Sequence, residues 1–167
     1  SPVVLEDEVG DPVASIEVPG TIDVVNASDP SHIVLTKSGA EGYDLIARSR
    51  ENPSGLSLEE FVIACFLLAR RGPCKILEQS DPHILAEYDF AARRQGADIT
   101  PIAISGLSGL QVVFQDPQSY SYEMFLDDPT NGRVFHFSIF ENDSPLQGQS
   151  FDESLLEALD IVQSLQP

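Results

Sequence analysis

Three histidines, two cysteines and 27 acidic side chains are the groups in this chain able to carry a proton, a metal ion or a covalent intermediate. His32, His83 and His136 lie far apart and show no metal-type spacing to Cys65 or Cys74, so no metal site is expected. His136 stands out by its neighbours. It sits between Phe135 and Phe137 in an alternating run, which places it on the opposite strand face from both and beside Ser138. It is the candidate ligand-binding residue, facing a cleft where it would join a carboxylate in small-molecule binding or hydrolysis; the plainer reading is a solvent-side position on a sheet. With so many acids, some pair reaches a glycosidase-like separation by chance, so none is singled out. "SGLSGL" fails as a nucleophile elbow: Gly106 precedes Ser108 correctly, but Gly109 follows at once and Leu110 stands where the second glycine belongs. No phosphate-cradling glycine loop is present, and no cofactor is expected.

"DDPTNG", Asp127 to Gly132, gathers carboxylates, an amide and a glycine, and so resembles a cation loop. Turn chemistry accounts for every residue of it. With Pro129 to Gly132 as a four-residue loop, Asp128 faces Arg133, Leu126 faces Phe135, Met124 faces Phe137 and Tyr122 faces Ile139. Pro129 sets the first turn angle and Gly132 supplies a positive φ. The spaced oxygen ligands and closing glutamate of a calcium loop are missing. The segment is expected to be a hairpin turn.

Strands are expected at Ala14 to Val18, Ile22 to Val25, His32 to Lys37, Tyr43 to Ser49, Ile99 to Ile104, Leu110 to Phe114, Tyr120 to Leu126 and Val134 to Phe140. Residues 1–12 are acidic and broken by Gly10 and Pro12, which predicts a loosely held arm. In "SLEEFVIACFLLARRG", Ser57 caps a helix, Glu60 reaches back in a capping box, and Gly72 ends it. Phe61 to Ala69 is apolar on all sides, so this helix needs cover on both. Phe61, Phe66 and Leu67 are therefore the interface candidates, and a structural homodimer is one alternative role. Residues 82–95 fit a helix through Ile84, Leu85, Tyr88, Ala91 and Ala92, and also alternate as a strand. A last helix carries Ser150 and Glu153 in a capping-box pattern and the stripe Leu155, Leu156, Leu159, Val162, Leu165. No repeat or linker divides the 167 residues, which predicts one domain.

A net charge of −18 disfavours nucleic acid and anionic membrane surfaces; it reads either as solubility or as complementarity to a basic protein partner. No apolar run has the length of a membrane span. Ser1 in place of Met fits removal of a leader or lipoprotein anchor, or a cloning remnant. An extracytoplasmic setting, periplasmic or secreted, is expected, with the cytoplasm as alternative. Cys65 and Cys74 flank the Gly72–Pro73 break, where a bridge is conceivable.

The "SLEEF" helix, the "ISGLSGLQVVF" turn, the hairpin ending in "GRVFHFSIF" and the "DESLLEALDIVQSL" helix together resemble the PsbP-like superfamily, which includes the Ran-binding Mog-type proteins. The resemblance covers roughly half of the chain, and the stretch from Cys74 to Ala97 departs from it by its length. It implies an α+β fold, an α/β/α sandwich with a central, mostly antiparallel sheet and helices on both faces. It also implies a non-catalytic accessory or binding module, not an enzyme, acting through protein–protein contacts. It offers no catalytic residues to carry over.

Overall fold

The computed structural model describes residues 1–26, 29–38, 42–52, 55–67, 97–116, 119–141 and 148–167. The helix-or-strand ambiguity at 82–95, the Gly72 helix stop and His83 lie outside them. Nine strands are described: β1 (Pro2–Glu6), β2 (Pro12–Glu17), β3 (Asp23–Asn26), β4 (His32–Lys37), β5 (Tyr43–Glu51), β6 (Ala97–Ile104), β7 (Leu107–Asp116), β8 (Ser119–Asp128) and β9 (Arg133–Glu141). Two helices accompany them: α1 (Leu58–Val62), running into a π-helical turn at Ile63–Leu67, and α2 (Gly148–Gln163). The result is a sheet-dominated α+β fold.

β1 and β2 form a separate hairpin, and the other strands form a seven-stranded antiparallel sheet in the order β3-β4-β5-β9-β8-β7-β6. The loose arm expected at 1–12 is corrected by that hairpin. Val3 pairs with Ile16 and Leu5 with Ala14, and Leu5 is 2% exposed in the main core. Gly10, with φ +91, and the Asp7 carboxylate, which accepts the Val9 and Asp11 N–H groups, turn the chain where the sequence looked merely broken. The β8–β9 register is the expected one, with Asp128 opposite Arg133 and Tyr122 opposite Ile139, and Gly132 adopts φ +62. Asn131 donates to the Asp128 carboxylate at 2.9 Å, so the polar knot closes its own turn. At "SGLSG" the turn is only Ser105–Gly106, both with positive φ; Ser108 and Gly109 already belong to β7. A Cβ on Gly109 would lie 2.5 Å from the Phe125 carbonyl oxygen, so glycine lets β7 and β8 close on each other there.

Strand alternation divides the sheet side chains into two sets. Leu35, Tyr43, Leu45, Ala47, Met124, Leu126, Phe135, Phe137 and Ile139 form one cluster with Leu5 and Ile16 of the hairpin and with Leu155, Ala158, Ile161 and Val162 of α2. Leu110, Val112, Phe125 and Val134 belong to the opposite set and pack with Phe61, Val62, Ala64 and Cys65. Ser57 caps α1 as expected, accepting the Glu60 N–H at 3.3 Å. The reciprocal capping-box bond is not found among the described residues, and Glu60 Oε2 is buried without a partner. The helix that reads as continuous from 58 onward widens after Val62, and the Arg50 guanidinium donates to the Cys65 carbonyl at 3.1 Å. α2 begins at Gly148, ahead of the Ser150 cap the sequence suggests.

Candidate functional site

The residues able to do chemistry come together in one row-and-neighbour pattern on the sheet face under α1. Across one row, strand pairing aligns His32 of β4, Arg48 of β5, His136 of β9, Phe125 of β8 and Leu110 of β7. In the adjacent row, Ile46, Ser138, Glu123 and Val112 align in the same order of strands. Glu123 and His136 are thus diagonal neighbours on adjacent strands, and Ser138 lies one pleat from His136. All three are buried: Glu123 is 5% exposed, His136 4% and Ser138 2%. The sequence left His136 between a cleft and a solvent-exposed sheet face; at 4% exposure it is not on a solvent-exposed face. The Phe125 ring stacks on the imidazole at 4.2 Å between centroids, and Phe66 meets it edge-on at 5.4 Å.

The Glu123 carboxylate is the hub. Its Oε2 lies 2.7 Å from His136 Nε2 and also accepts the Ser138 hydroxyl, while Oε1 accepts the Ser121 hydroxyl at 3.1 Å. Arg48 Nη1 donates to Ser138 Oγ at 2.8 Å. These partners set the proton positions. Burial pushes the His136 pKa down, more strongly than the bond and charge of Glu123 push it up, so the ring is neutral near pH 7. Nε2 must then carry the hydrogen that reaches Glu123, which leaves Nδ1 as a bare acceptor, buried and without a partner. An unfilled acceptor costs less than an orphaned N–H would.

That arrangement is not a catalytic triad. In a triad the acid holds Nδ1 and the serine gives its proton to Nε2. Here acid and serine crowd the same nitrogen, and the Ser138 proton is committed to Glu123. Ser138 Oγ and His136 Nε2, 3.3 Å apart, are two donors sharing one acceptor. No cluster of three or more metal-type ligands occurs among the described residues.

The interface candidates are distributed differently. Phe61 is 1% exposed and covered by the chain's own Leu110, Val112, Phe125 and Val134. Phe66 is half-buried against Phe125 and His136. The Leu67 side chain lies outside the described residues. Cys65 is disulfide-bonded; Cys74, the cysteine with which a bridge was conceivable, lies outside them too. Ser138 was noted beside His136, whereas Glu123 escaped the sequence reading although the hairpin register already set it opposite Ser138. Arg48 was legible only as a polar position of an alternating strand, and Arg50 lay just beyond the end expected for it.

No protein-family model and no curated protein matches the sequence. Solved structures do match in shape. LpqN of Mycobacterium tuberculosis, described as involved in cell envelope biogenesis, superposes with a TM-score of 0.52 at 12% identity, over 100% of this chain and 91% of its own. The Ran-binding protein Mog1p of Saccharomyces cerevisiae gives 0.51 at 8%, over 99% and 95%. A Bacteroides thetaiotaomicron protein gives 0.51 at 10% identity over 99% of this chain, which spans only 47% of that protein's length. The chain shares its fold with Mog1p and LpqN; at these identities the likeness concerns fold alone. No described helix is long and apolar enough to cross a membrane.

Proposed function

We propose that this chain is a non-catalytic binding or accessory module of the PsbP-like superfamily, an α/β/α sandwich that acts through contacts with another protein in an extracytoplasmic setting. The observation that carries the reading is the sealed geometry of Glu123, His136 and Ser138. Among the described residues, the constellation with catalytic residue types is buried beneath Phe66, and its serine proton is already engaged. In this reading His136 holds the sheet face together and contacts no substrate. The neighbours point the same way: Mog1p binds Ran, and LpqN belongs to envelope biogenesis. A disulfide at Cys65 supports an oxidising compartment. The net charge of −18 favours a basic partner surface.

The test is capture by the immobilised chain from an envelope fraction of the source organism at low and at high salt, followed by titration of the captured protein in purified form. The expected result is saturable, salt-sensitive binding of one protein. If no protein binds saturably at either salt, the reading is wrong.

A further inference from the structure

The described cations of this acidic chain fall into two kinds. Lys37 pairs with Glu157 at 3.3 Å, and Arg133 with Glu8 at 2.9 Å and Glu51 at 3.9 Å. Arg48 and Arg50 pair with no carboxylate among the described residues, although the chain carries 27. They occupy alternate positions of β5, so both point to the same sheet face, about 7 Å apart along the strand. Both are half-buried. A half-buried cation without a counter-charge is costly, and an acidic sequence has the means to supply one.

The hydrogen bonds they make do not use them up. Arg48 gives one bond to Ser138, and Arg50 gives one to the Cys65 carbonyl. Each guanidinium keeps most of its N–H fork free, the geometry that matches a planar or tetrahedral oxyanion. No carboxylate contacts them directly: Glu123 acts on both guanidiniums, and Asp29 and Glu8 on Arg50, all from beyond ion-pairing range. The two guanidiniums adjoin the half-exposed part of the same sheet face, where His32 stands beside Arg48 and Val34 beside Ile46.

We infer that Arg48 and Arg50 form a binding site for the oxyanion group, carboxylate or phosphate, of a small ligand that enters beside His32. The site lies on the β4 side of the row that contains His136, next to the sealed Glu123–His136 pair. It does not depend on the protein-partner reading. Arg50 is the reporting residue, because Arg48 also supports Ser138.

The experiment is calorimetric titration of the full chain at low ionic strength with inorganic phosphate and, separately, with succinate. Arg50→Gln and Arg50→Lys are compared with the unaltered chain, and a thermal melt serves as the folding control. The expected result is saturable binding of at least one probe, weakened about tenfold or more in Arg50→Gln, which loses a charge-assisted bond. Arg50→Lys keeps the charge without the fork and binds with intermediate affinity. Phosphate alone assigns the site to phosphate groups, and succinate alone to carboxylates. If neither probe saturates, or if a folded Arg50 variant binds both as well as the unaltered chain, the site does not exist.

Discussion

The two faces of the sheet are built from the same strands, yet they solve burial in opposite ways. The face that joins the N-terminal hairpin and α2 is apolar throughout its centre, with Phe135, Phe137, Leu45, Met124 and Ile139 at 0–1% exposure. The other face buries Phe125, Val112 and Val134 just as fully, but places Glu123, His136 and Ser138 among them. An apolar cluster tolerates any arrangement that fills the volume, whereas a buried polar cluster holds only if each donor meets its acceptor. The second face therefore specifies the β8–β9 register and the seat of Phe66 more narrowly than packing alone would.

The largest effect tests whether the faces are equal in packing. Phe137→Ala and Phe125→Ala each remove a fully buried ring and are each expected to cost about 4 kcal/mol in denaturant unfolding. They should differ elsewhere. Only Phe125→Ala uncovers the stacked imidazole, so only that variant should move the His136 titration, followed by NMR, back towards the ordinary histidine value. A matching shift in Phe137→Ala would mean that the faces are not separate compartments.

A smaller effect separates polar from apolar cohesion. Glu123→Ala leaves His136 and Ser138 without their shared acceptor and is expected to cost about 3 kcal/mol. The double variant Glu123→Leu/His136→Phe replaces the pair with apolar volume and should recover most of that loss. Recovery makes the polar cluster a device of specificity; a double variant as unstable as Glu123→Ala makes it a net source of stability.

The smallest effect is a dependence on pH. The folded pKa of His136 lies below its unfolded value of 6.5, so the unfolded chain takes up the proton first. Stability is little affected by this group well above pH 6.5 and falls as pH drops through that value. His136→Phe should flatten that stretch of the curve. His32, pushed down mainly by its partial burial, contributes the same sign more weakly because it is far more exposed. An unchanged slope in His136→Phe would place the protonation elsewhere.

Local chemistry carried much of the fold into the sequence. Alternation in "HIVLTK" and in Val134 to Phe140, the Pro129–Gly132 loop and the Ser57 cap all operate over a few residues, and all are found where those residues dictate. Misreadings occur where a distant contact decides. Glycine and proline in residues 1–12 signalled a loose arm, but pairing with β2 and burial of Leu5 hold it. The apolar run after Ser57 signalled a regular helix, but it takes a π-helical turn at Ile63–Leu67, where Arg50 from β5 also donates to the Cys65 carbonyl. His136 was visible as a residue able to do chemistry, and its partner Glu123 was implied by the hairpin register alone.

By itself the sequence determined the strands after residue 12, the β8–β9 register, the acidic composition and the place of His136 on its strand. Each of these follows from side-chain period, turn geometry or composition, which act locally or as simple sums. Tertiary structure alone decided that Phe66 would close over His136, that Glu123 and Ser138 would occupy one imidazole nitrogen, and that Arg48 and Arg50 would make no ion pair among the described residues. Those outcomes depend on which strand lies beside which, and β5 meets β9 across more than eighty residues of chain, from Ser49 to Arg133. Burial and charge pairing are set by that neighbourhood, and no local pattern of residues encodes it.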